Sequence, residues 1–325
     1  MGSPFSQYSG PLTQGKRLYQ RDVIGAGLGL ANVGDIWYVD ATNGSDTTYV
    51  KNDPKKALAT VGAAYTAATA NQDDVVCILH GGGSGRTTET TAITWAKRYT
   101  HLIGATGPLA QDARAGISFG TGGSLSVTEN GCVFQNITFN GTTDINVPVT
   151  VSGDYNSWIG VDFKGSLNET TGNDTAARAL VLSGAQENSF FGCTFGADTF
   201  MRSAANYTVE FASAASRNVF DDCRFIMASD ATTPRHIYFS EANSIDRWVE
   251  FKNCSFYNFT TNDTAQIAAC MNLATQTATG HVLLAGNNML VGIDNWESTA
   301  SGRIWALSYT ATANAVGQAI NPTVD

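Results

Sequence analysis

The chain has 325 residues, of which 14% are charged and 43% are hydrophobic, and its formal net charge is −9. This length and apolar content allow a large core and exclude a disordered chain. The negative charge argues against a nucleic-acid or anionic-membrane surface, because both need clustered Lys and Arg. The chain contains no apolar run of about 18 residues, and its first residues, MGSPFSQYSG, lack the pattern of a secretory signal.

Residues 1–34 are predicted to form an extended attachment arm. The charged residues of this segment are Lys16, Arg17, Arg21 and Asp22, so the arm is basic while the rest of the chain is acidic. We expect these three cations to dock on an acidic partner, and a frayed terminus is the alternative. The GAGLGL run at 25–30 does not have the spacing of a dinucleotide-binding loop, and we assign it to the arm.

A cap of one strand and one helix is predicted over residues 35–74. A stack of coils would otherwise begin with an open edge that invites aggregation. The predicted helix spans 53–70, with Pro54 at its start and apolar residues at amphipathic spacing. The glycine-rich HGGGSGR at 80–86 has neither an esterase elbow nor the ending of a phosphate-binding loop, which indicates a turn.

A repeat over residues 75–292 predicts the coils of a parallel β-helix. Five segments share an apolar pair, a small or polar pair, and an apolar residue two places before Phe: VFQNITF (133–139), WIGVDF (158–163), FFGCTF (190–195), VFDDCRF (219–225) and VEFKNCSF (249–256). A second apolar strand precedes each segment, in VTVSGDYN, LVLSGAQEN and VEFASAASRN for example. Each coil should therefore hold at least two strands, and like residues should stack from coil to coil.

The period of two places both apolar residues of each segment's end on the inner face, as in Cys193 and Phe195. Phe ladders and Cys ladders are therefore expected, with the cysteines as buried thiols. Asn136, Asp222 and Asn253 are expected at turns, where they tolerate left-handed backbone. We predict neither a disulfide nor a metal site, since no C-x-x-C pattern or Cys/His cluster occurs.

Residues 293–325 are predicted to form closing strands. IWALSYTATA at 304–313 alternates in the way of an edge or intersubunit strand.

The segments GDIWYVDATNGSD, DDVVCILHGG and ITWAKRYTHLIGATG, with the Ala-rich helix between the first two, resemble the opening of pectin-lyase-like right-handed parallel β-helix proteins, including those of tailed-bacteriophage virions. The resemblance covers about residues 34–107, and the repeat extends it to about 292. It implies an all-β fold: a right-handed parallel β-helix with an N-terminal cap helix. It leaves function open, because this fold carries lyases, hydrolases, tailspikes and virion proteins.

Enzymes of this superfamily act on polysaccharides with paired carboxylates or with a cationic base beside carboxylates, so these groups are the candidates for catalysis. The available carboxylates are Asp162, Glu187, Glu210, Asp221, Asp222, Glu241, Asp246 and Glu250, and the cations are Arg224, Arg235, Arg247 and His236. Adjacent Asp221 and Asp222 resemble a hydrolase pair, but neighbours on a strand point to opposite faces. We interpret them as turn residues and nominate no catalytic residue and no cofactor.

Two functions follow as expectations. The first is a non-enzymatic virion protein of a tailed bacteriophage, such as a capsid decoration, vertex or fibre component, which forms a homotrimer and is anchored by Lys16, Arg17 and Arg21. It would be made in the host cytoplasm, with no nucleic-acid or membrane partner. The alternative is a tailspike-like protein that grips or degrades host surface polysaccharide, using aromatic side chains such as Tyr238, Trp248 and Tyr257 to stack on sugar rings.

Overall fold

The structure, a computed structural model, describes residues 34–79, 86–106, 111, 115–261, 266–277, 279–298, 301–307 and 319–320. The predicted arm with Lys16, Arg17 and Arg21, the run at 25–30 and most of the segment at 80–86 lie outside these residues. None of the helices in the described ranges is long and apolar enough to cross a bilayer.

Strands account for nearly all of the regular structure. In chain order they are β1 (Ile36–Val39), β2 (Asp74–Leu79), β3 (Arg86–Glu89), β4 (Ile93–Trp95), β5 (Thr100–Ala105), β6 (Gly116–Phe119), β7 (Leu125–Val127), β8 (Val133–Gln135), β9 (Thr138–Gly141), β10 (Val149–Val151), β11 (Ser157–Ile159), β12 (Asp162–Ser166), β13 (Leu180–Ser183), β14 (Ser189–Phe191), β15 (Thr194–Phe195), β16 (Met201–Arg202), β17 (Tyr207–Ala212), β18 (Val219–Asp221), β19 (Arg224–Ser229), β20 (Arg235–Phe239), β21 (Trp248–Lys252), β22 (Ser255–Phe259), β23 (Met271–Asn272), β24 (His281–Ala285), β25 (Met289–Val291), β26 (Ile304–Leu307) and β27 (Ala319–Ile320). The α-helices are α1 (Val61–Ala67) and α2 (Glu169–Gly172), and a 3-10 helix spans Pro54–Lys56.

The strands form three long sheets with parallel pairing, except that β26 and β27 pair antiparallel. Sheet A runs β1-β2-β5-β8-β11-β14-β18-β21-β24-β26-β27. Sheet B runs β25-β22-β19-β15-β12-β9-β6-β3, with β16 attached to β19, and sheet C runs β23-β20-β17-β13-β10-β7-β4. The chain visits A, B and C in turn, so the predicted all-β, right-handed parallel β-helix is confirmed.

Each full coil holds three strands, because every repeated segment such as VFQNITF divides at a sharp turn. Asn136, Gly160, Gly192, Asp222 and Asn253 occupy this turn with φ values of 54°, 58°, 59°, 55° and 53°. Asn and Asp tolerate this left-handed backbone better than other side chains do, and Gly adopts it freely. The turn joins sheet A to sheet B, and the preceding apolar strand belongs to sheet C.

The predicted Phe ladder is confirmed in sheet B. Phe139, Phe163, Phe195, Phe225 and Phe256 are buried, and successive ring centroids lie 5.7, 5.1, 4.8 and 4.5 Å apart. A second ladder in sheet A, of Phe134, Trp158, Phe190, Phe220 and Phe251, packs against it. Each aromatic contact contributes about 0.5–1.5 kcal/mol beyond its buried area, so the ladders fix the register of the coils.

The cysteines also stack inside the coils as predicted. Cys193, Cys223 and Cys254 follow the left-handed turn, and their thiols donate to the carbonyls of Trp158, Phe190 and Phe220 in the preceding coil at 3.3–3.4 Å. Burial raises the pKa of the Cys223 thiol. All six cysteines of the chain are buried and free.

The cap helix is shorter than predicted. Instead of one helix over 53–70, a 3-10 turn at Pro54–Lys56 is followed by extended backbone at Ala57 and then by α1 at Val61–Ala67. The reason is that Thr60 takes the N-cap position, where its side chain accepts from Ala63 N–H, while Leu58 bridges to β1. At the other end, the Lys97 ammonium donates to the carbonyls of Tyr65, Thr66 and Ala68.

Buried asparagines form a ladder where sheet C turns into sheet A. The side-chain oxygens of Asn156, Asn188 and Asn218 accept from the N–H groups of Cys132, Asn156 and Asn188 respectively, at 2.8–3.0 Å. These bonds link successive coils, and they satisfy backbone groups that burial would otherwise leave unpaired.

Candidate functional site

The outward row of sheet C changes character along the stack. Thr94, Ser126 and Thr150 stand on the first strands of this row, while the register aligns Val181, Glu210, Tyr238 and Asn272 on the later ones. The later part carries large polar and aromatic side chains that are partly exposed. This end of sheet C therefore offers both aromatic and polar side chains for contacts with a ligand.

Two tyrosines form the centre of this face. The rings of Tyr207 and Tyr238 stack with centroids 4.0 Å apart and planes 10° apart. The Arg178 guanidinium lies 4.7 Å from the Tyr207 centroid and 5.5 Å from that of Tyr238, within cation–π range of both. We call Arg178, Tyr207, Glu210, Tyr238 and Asn272 the tyrosine platform.

Hydrogen bonds hold the platform in place. Arg178 Nε donates to Glu210 Oε2 at 2.6 Å, and Arg178 Nη1 donates to the carbonyls of Thr175 and Ala177. At the other end, Asn272 Nδ2 donates to the Tyr207 hydroxyl at 2.9 Å. The side chains are thus ordered before any ligand arrives, which lowers the entropic cost of binding.

Electrostatics keep the hydroxyl group of Tyr238 neutral. Burial, with Tyr207 and Glu210 nearby, raises the pKa of Tyr238 against the opposing effect of Arg178. Burial lowers the pKa of neighbouring Arg235, and Tyr207 and Cys270 oppose that change. Tyr238 therefore remains a hydrogen-bond donor as well as an acceptor.

A pocket of about 400 Å³ continues the face beyond Asn272. Its lining includes Asn272, Gln276, Glu297 and Arg303. Glu297 is buried, and its Oε1 accepts from Ser301 N–H at 3.0 Å, while its Oε2 has no protein partner. Asn272 belongs to both the platform and the pocket, so the two form one continuous surface.

A second pocket, of about 580 Å³, lies beside the cap and includes the buried Glu89. Glu89 Oε1 accepts from Val61 N–H at 2.7 Å at the start of α1. Burial raises the pKa of Glu89, while hydrogen bonds from Val61, Thr87 and Gly62 oppose the increase. This carboxylate therefore anchors the cap.

The carboxylates selected from the sequence do not come together. Asp162 pairs with Lys164, Glu187 with Arg217, Asp221 with Lys252 and Glu210 with Arg178. Glu241 accepts from Ser213, Asp246 accepts from Ser216, and Glu250 stands on the outer side of sheet A. Of this set, Glu210 is the one carboxylate on the tyrosine platform.

Of the adjacent pair, only Asp222 is the turn residue that the sequence predicts, because Asp221 is the last residue of a strand. Asp221 ends β18 and binds Lys252 at 2.8 Å, whereas Asp222 occupies the left-handed turn. Among the cations, Arg224 is exposed on sheet B, Arg247 is 3.9 Å from Asp246, and His236 is fully buried.

The three aromatic side chains proposed for sugar stacking cannot share one groove. Tyr238 lies on sheet C, Trp248 on sheet A and Tyr257 on sheet B. Each strand of a coil faces a different side of the β-helix, so only Tyr238 belongs to the platform. Tyr207 and Arg178 were not predicted from the sequence. Tyr207 is in register with Arg235, so its contact with Tyr238 is diagonal and has no simple sequence signal.

Within the described ranges, no group of three or more His, Cys, Asp or Glu side chains is arranged to hold a metal ion.

No protein-family model matches the chain, and no curated protein matches it. A solved structure of a pectin methylesterase mutant in complex with a hexasaccharide is 16% identical, with a TM-score of 0.45 over 89% of this chain and 98% of that one. The deglycosylated pectin methylesterase of Aspergillus niger is 15% identical, with a TM-score of 0.42 over 82% and 91%. The pectin methylesterase of Erwinia chrysanthemi is 14% identical, with a TM-score of 0.41 over 77% and 89%. At these identities and TM-scores the likeness says nothing about what this chain binds or acts on.

Proposed function

We propose that this chain binds an extended polysaccharide along the outer face of sheet C, with the tyrosine platform as the principal contact. The stacked pair of Tyr207 and Tyr238 carries the proposal. Each ring combines an apolar body with a hydroxyl group, which suits a ligand with apolar ring faces and polar edges. The pair is partly exposed and held by Arg178 and Asn272.

The polar members of the platform supply complementary contacts. Glu210, in its ion pair with Arg178, offers carboxylate oxygens that accept hydroxyl hydrogens. Asn272 offers amide donor and acceptor groups at the entrance to the adjoining pocket. A linear chain of sugars lying across the strands of sheet C would meet these groups in succession.

The tyrosine platform holds one carboxylate, Glu210, on which cleavage of the bound polysaccharide could depend. Hydrolases of this type use two carboxylates on either side of the glycosidic bond. Glu210 is held by Arg178 at 2.6 Å, which favours a role in binding over one in proton transfer. Analysis of reaction products in the binding assay tests for cleavage directly.

A tailspike-like receptor binder of a tailed bacteriophage is the context we propose for such an activity. Placement on a virion and a homotrimeric state stay predictions. Docking through Lys16, Arg17 and Arg21 is also a prediction, since these residues lie outside the described part of the chain.

The proposal is tested by affinity electrophoresis on a panel of capsular and pectic polysaccharides, comparing the intact chain with Tyr238→Ala. We expect Tyr238→Ala to weaken binding about tenfold, because it removes one stacking face of about 1.4 kcal/mol. Tyr257→Ala on sheet B is the matched control and should bind like the unmodified chain. Circular dichroism must show that both variants fold.

Two results contradict the proposal. One is a panel that retains none of the three proteins, and the other is unchanged affinity in Tyr238→Ala for a polysaccharide that the unmodified chain binds.

A further inference from the structure

A buried arginine lies inside the β-helix without a carboxylate partner. Arg202, in β16, is only 7% exposed. Its Nη1 donates to Thr208 Oγ1 over a long 3.3 Å, and its Nε has no protein partner. None of the ion pairs found among the described residues includes Arg202. Burial and the like charge of Arg178 lower the pKa of Arg202 to about 10, so it stays charged at neutral pH.

The neighbouring arginine does not compensate this charge. Arg178 is balanced by Glu210 at 2.6 Å. The interior around Arg202 therefore holds one positive charge without a counter-charge. A buried charge of this kind destabilises a fold unless a partner of opposite sign accompanies it.

A second, independent group points to the same place. His236 is fully buried, and neither Nδ1 nor Nε2 makes a well-aligned hydrogen bond to a protein atom, although the Tyr257 backbone lies close to the ring and opposes the fall in its pKa. The register that pairs Tyr207 with Arg235 and Val209 with Ile237 places Thr208 beside His236. Burial and then the charge of Arg202 lower the pKa of His236 to about 3, so its ring is neutral at pH 7 and one nitrogen carries a hydrogen.

We propose that Arg202, Thr208 and His236 bind a small monovalent anion of the chloride type inside the coil. Arg202 Nε–H, one ring N–H of His236 and the Thr208 hydroxyl are the donors, and the anion neutralises the Arg202 charge. A single uncompensated cation calls for a single negative charge. The ring centroids of Phe225 and Phe256 lie 6.2 and 5.8 Å from that of His236. This aromatic packing favours a small ion over an organic ligand. This site is independent of the tyrosine platform.

Thermal unfolding in sodium chloride and in sodium gluconate of equal ionic strength tests the site. At chloride concentrations about a hundred times the dissociation constant, we expect the apparent Tm to be about 4 °C higher in chloride at a fixed scan rate. Arg202→Met should abolish the difference, because it removes the charge and the Nε donor. Arg98→Met, at an exposed arginine 3.6 Å from Glu129, should retain the difference.

Equal Tm values in the two salts for the unmodified chain overturn the proposal, as does a full chloride effect in Arg202→Met. A crystal of the unmodified chain grown in bromide covers the case in which Arg202→Met does not fold. An anomalous peak beside Arg202 Nε is the expected result. Density for water alone at that place contradicts it.

Discussion

His101 shows how a single side chain joins two coils. It is 1% exposed in β5, and its Nδ1 accepts the Val133 N–H of the next coil at 3.0 Å. Its Nε2 lies 3.3 Å from Asp73 Oδ1. Since Nδ1 must accept, the ring bonds in its neutral form with the hydrogen on Nε2.

This geometry predicts acid sensitivity. Burial lowers the pKa of His101, with Asp73 and Asp74 opposing the shift, so the folded chain binds a proton less readily than the unfolded chain. The stabilisation is complete above the unfolded pKa of about 6.5 and is lost as the pH falls through the interval between the unfolded and folded values.

We expect His101→Asn to be less stable than the unmodified chain at pH 7.5 but to lose less stability on acidification to pH 5. The Asn side-chain oxygen can accept from Val133 N–H, and Asn does not titrate. Denaturant midpoints at both pH values measure the effect. The same loss of stability in both proteins would show that His101 does not titrate between these pH values.

At the scale of elements, the asparagine ladder explains how the turns from sheet C to sheet A stay in register. Asn188 is fully buried and bonded on both sides: its Oδ1 accepts from Asn156 N–H, and its Nδ2 donates to the carbonyls of Gly153 and Gln186. Its own N–H donates to Asn218 Oδ1.

Asn188→Ala should lower the free energy of unfolding by about 2–4 kcal/mol, because it leaves buried backbone groups without partners. Asn287→Ala, at an exposed position in a later turn, should change it by less than about 0.5 kcal/mol. Chemical denaturation of both variants measures the difference. Comparable effects in the two variants would remove the ladder's structural role.

The Phe and Cys ladders could be predicted because their residues recur at one position with a period of two. The third strand of each coil was not predicted. The repeated segment is apolar on both sides of its turn residue, such as Asn136, so its two strands were taken together. The asparagine ladder was present in the segments VTVSGDYN, LVLSGAQEN and VEFASAASRN, which all end in Asn. The predicted boundaries of the cap helix were wrong because Thr60 caps α1 and Leu58 bridges to β1. An amphipathic pattern does not record these contacts.

The candidate site was harder to predict for a related reason. Tyr238 and Asn272 are in register on neighbouring strands, whereas Tyr207 is in register with Arg235 and reaches both of them diagonally. Such diagonal contacts depend on the register and on side-chain direction, which the sequence does not show. In the sequence, Tyr238 stands out only as an aromatic residue and Glu210 only as a carboxylate. Nothing in the sequence links them to Arg178, whose guanidinium contacts both tyrosine rings.

At the scale of the whole molecule, the β-helix separates stability from function. Aromatic, Cys and Asn ladders hold the coils from inside, and their side chains are buried. The outer face of sheet C is left to vary along the stack, from Thr and Ser in its first strands to the tyrosine platform. This division leaves the outer face of sheet C available for the binding that we propose.

The most direct test of this account is a crystal structure of the chain with an oligosaccharide from a polysaccharide that it retains. The account predicts sugar rings over sheet C, in contact with Tyr207 and Tyr238 between Arg178 and Asn272. Sugar density on sheet A or sheet B, with the two tyrosines free of ligand, would contradict it.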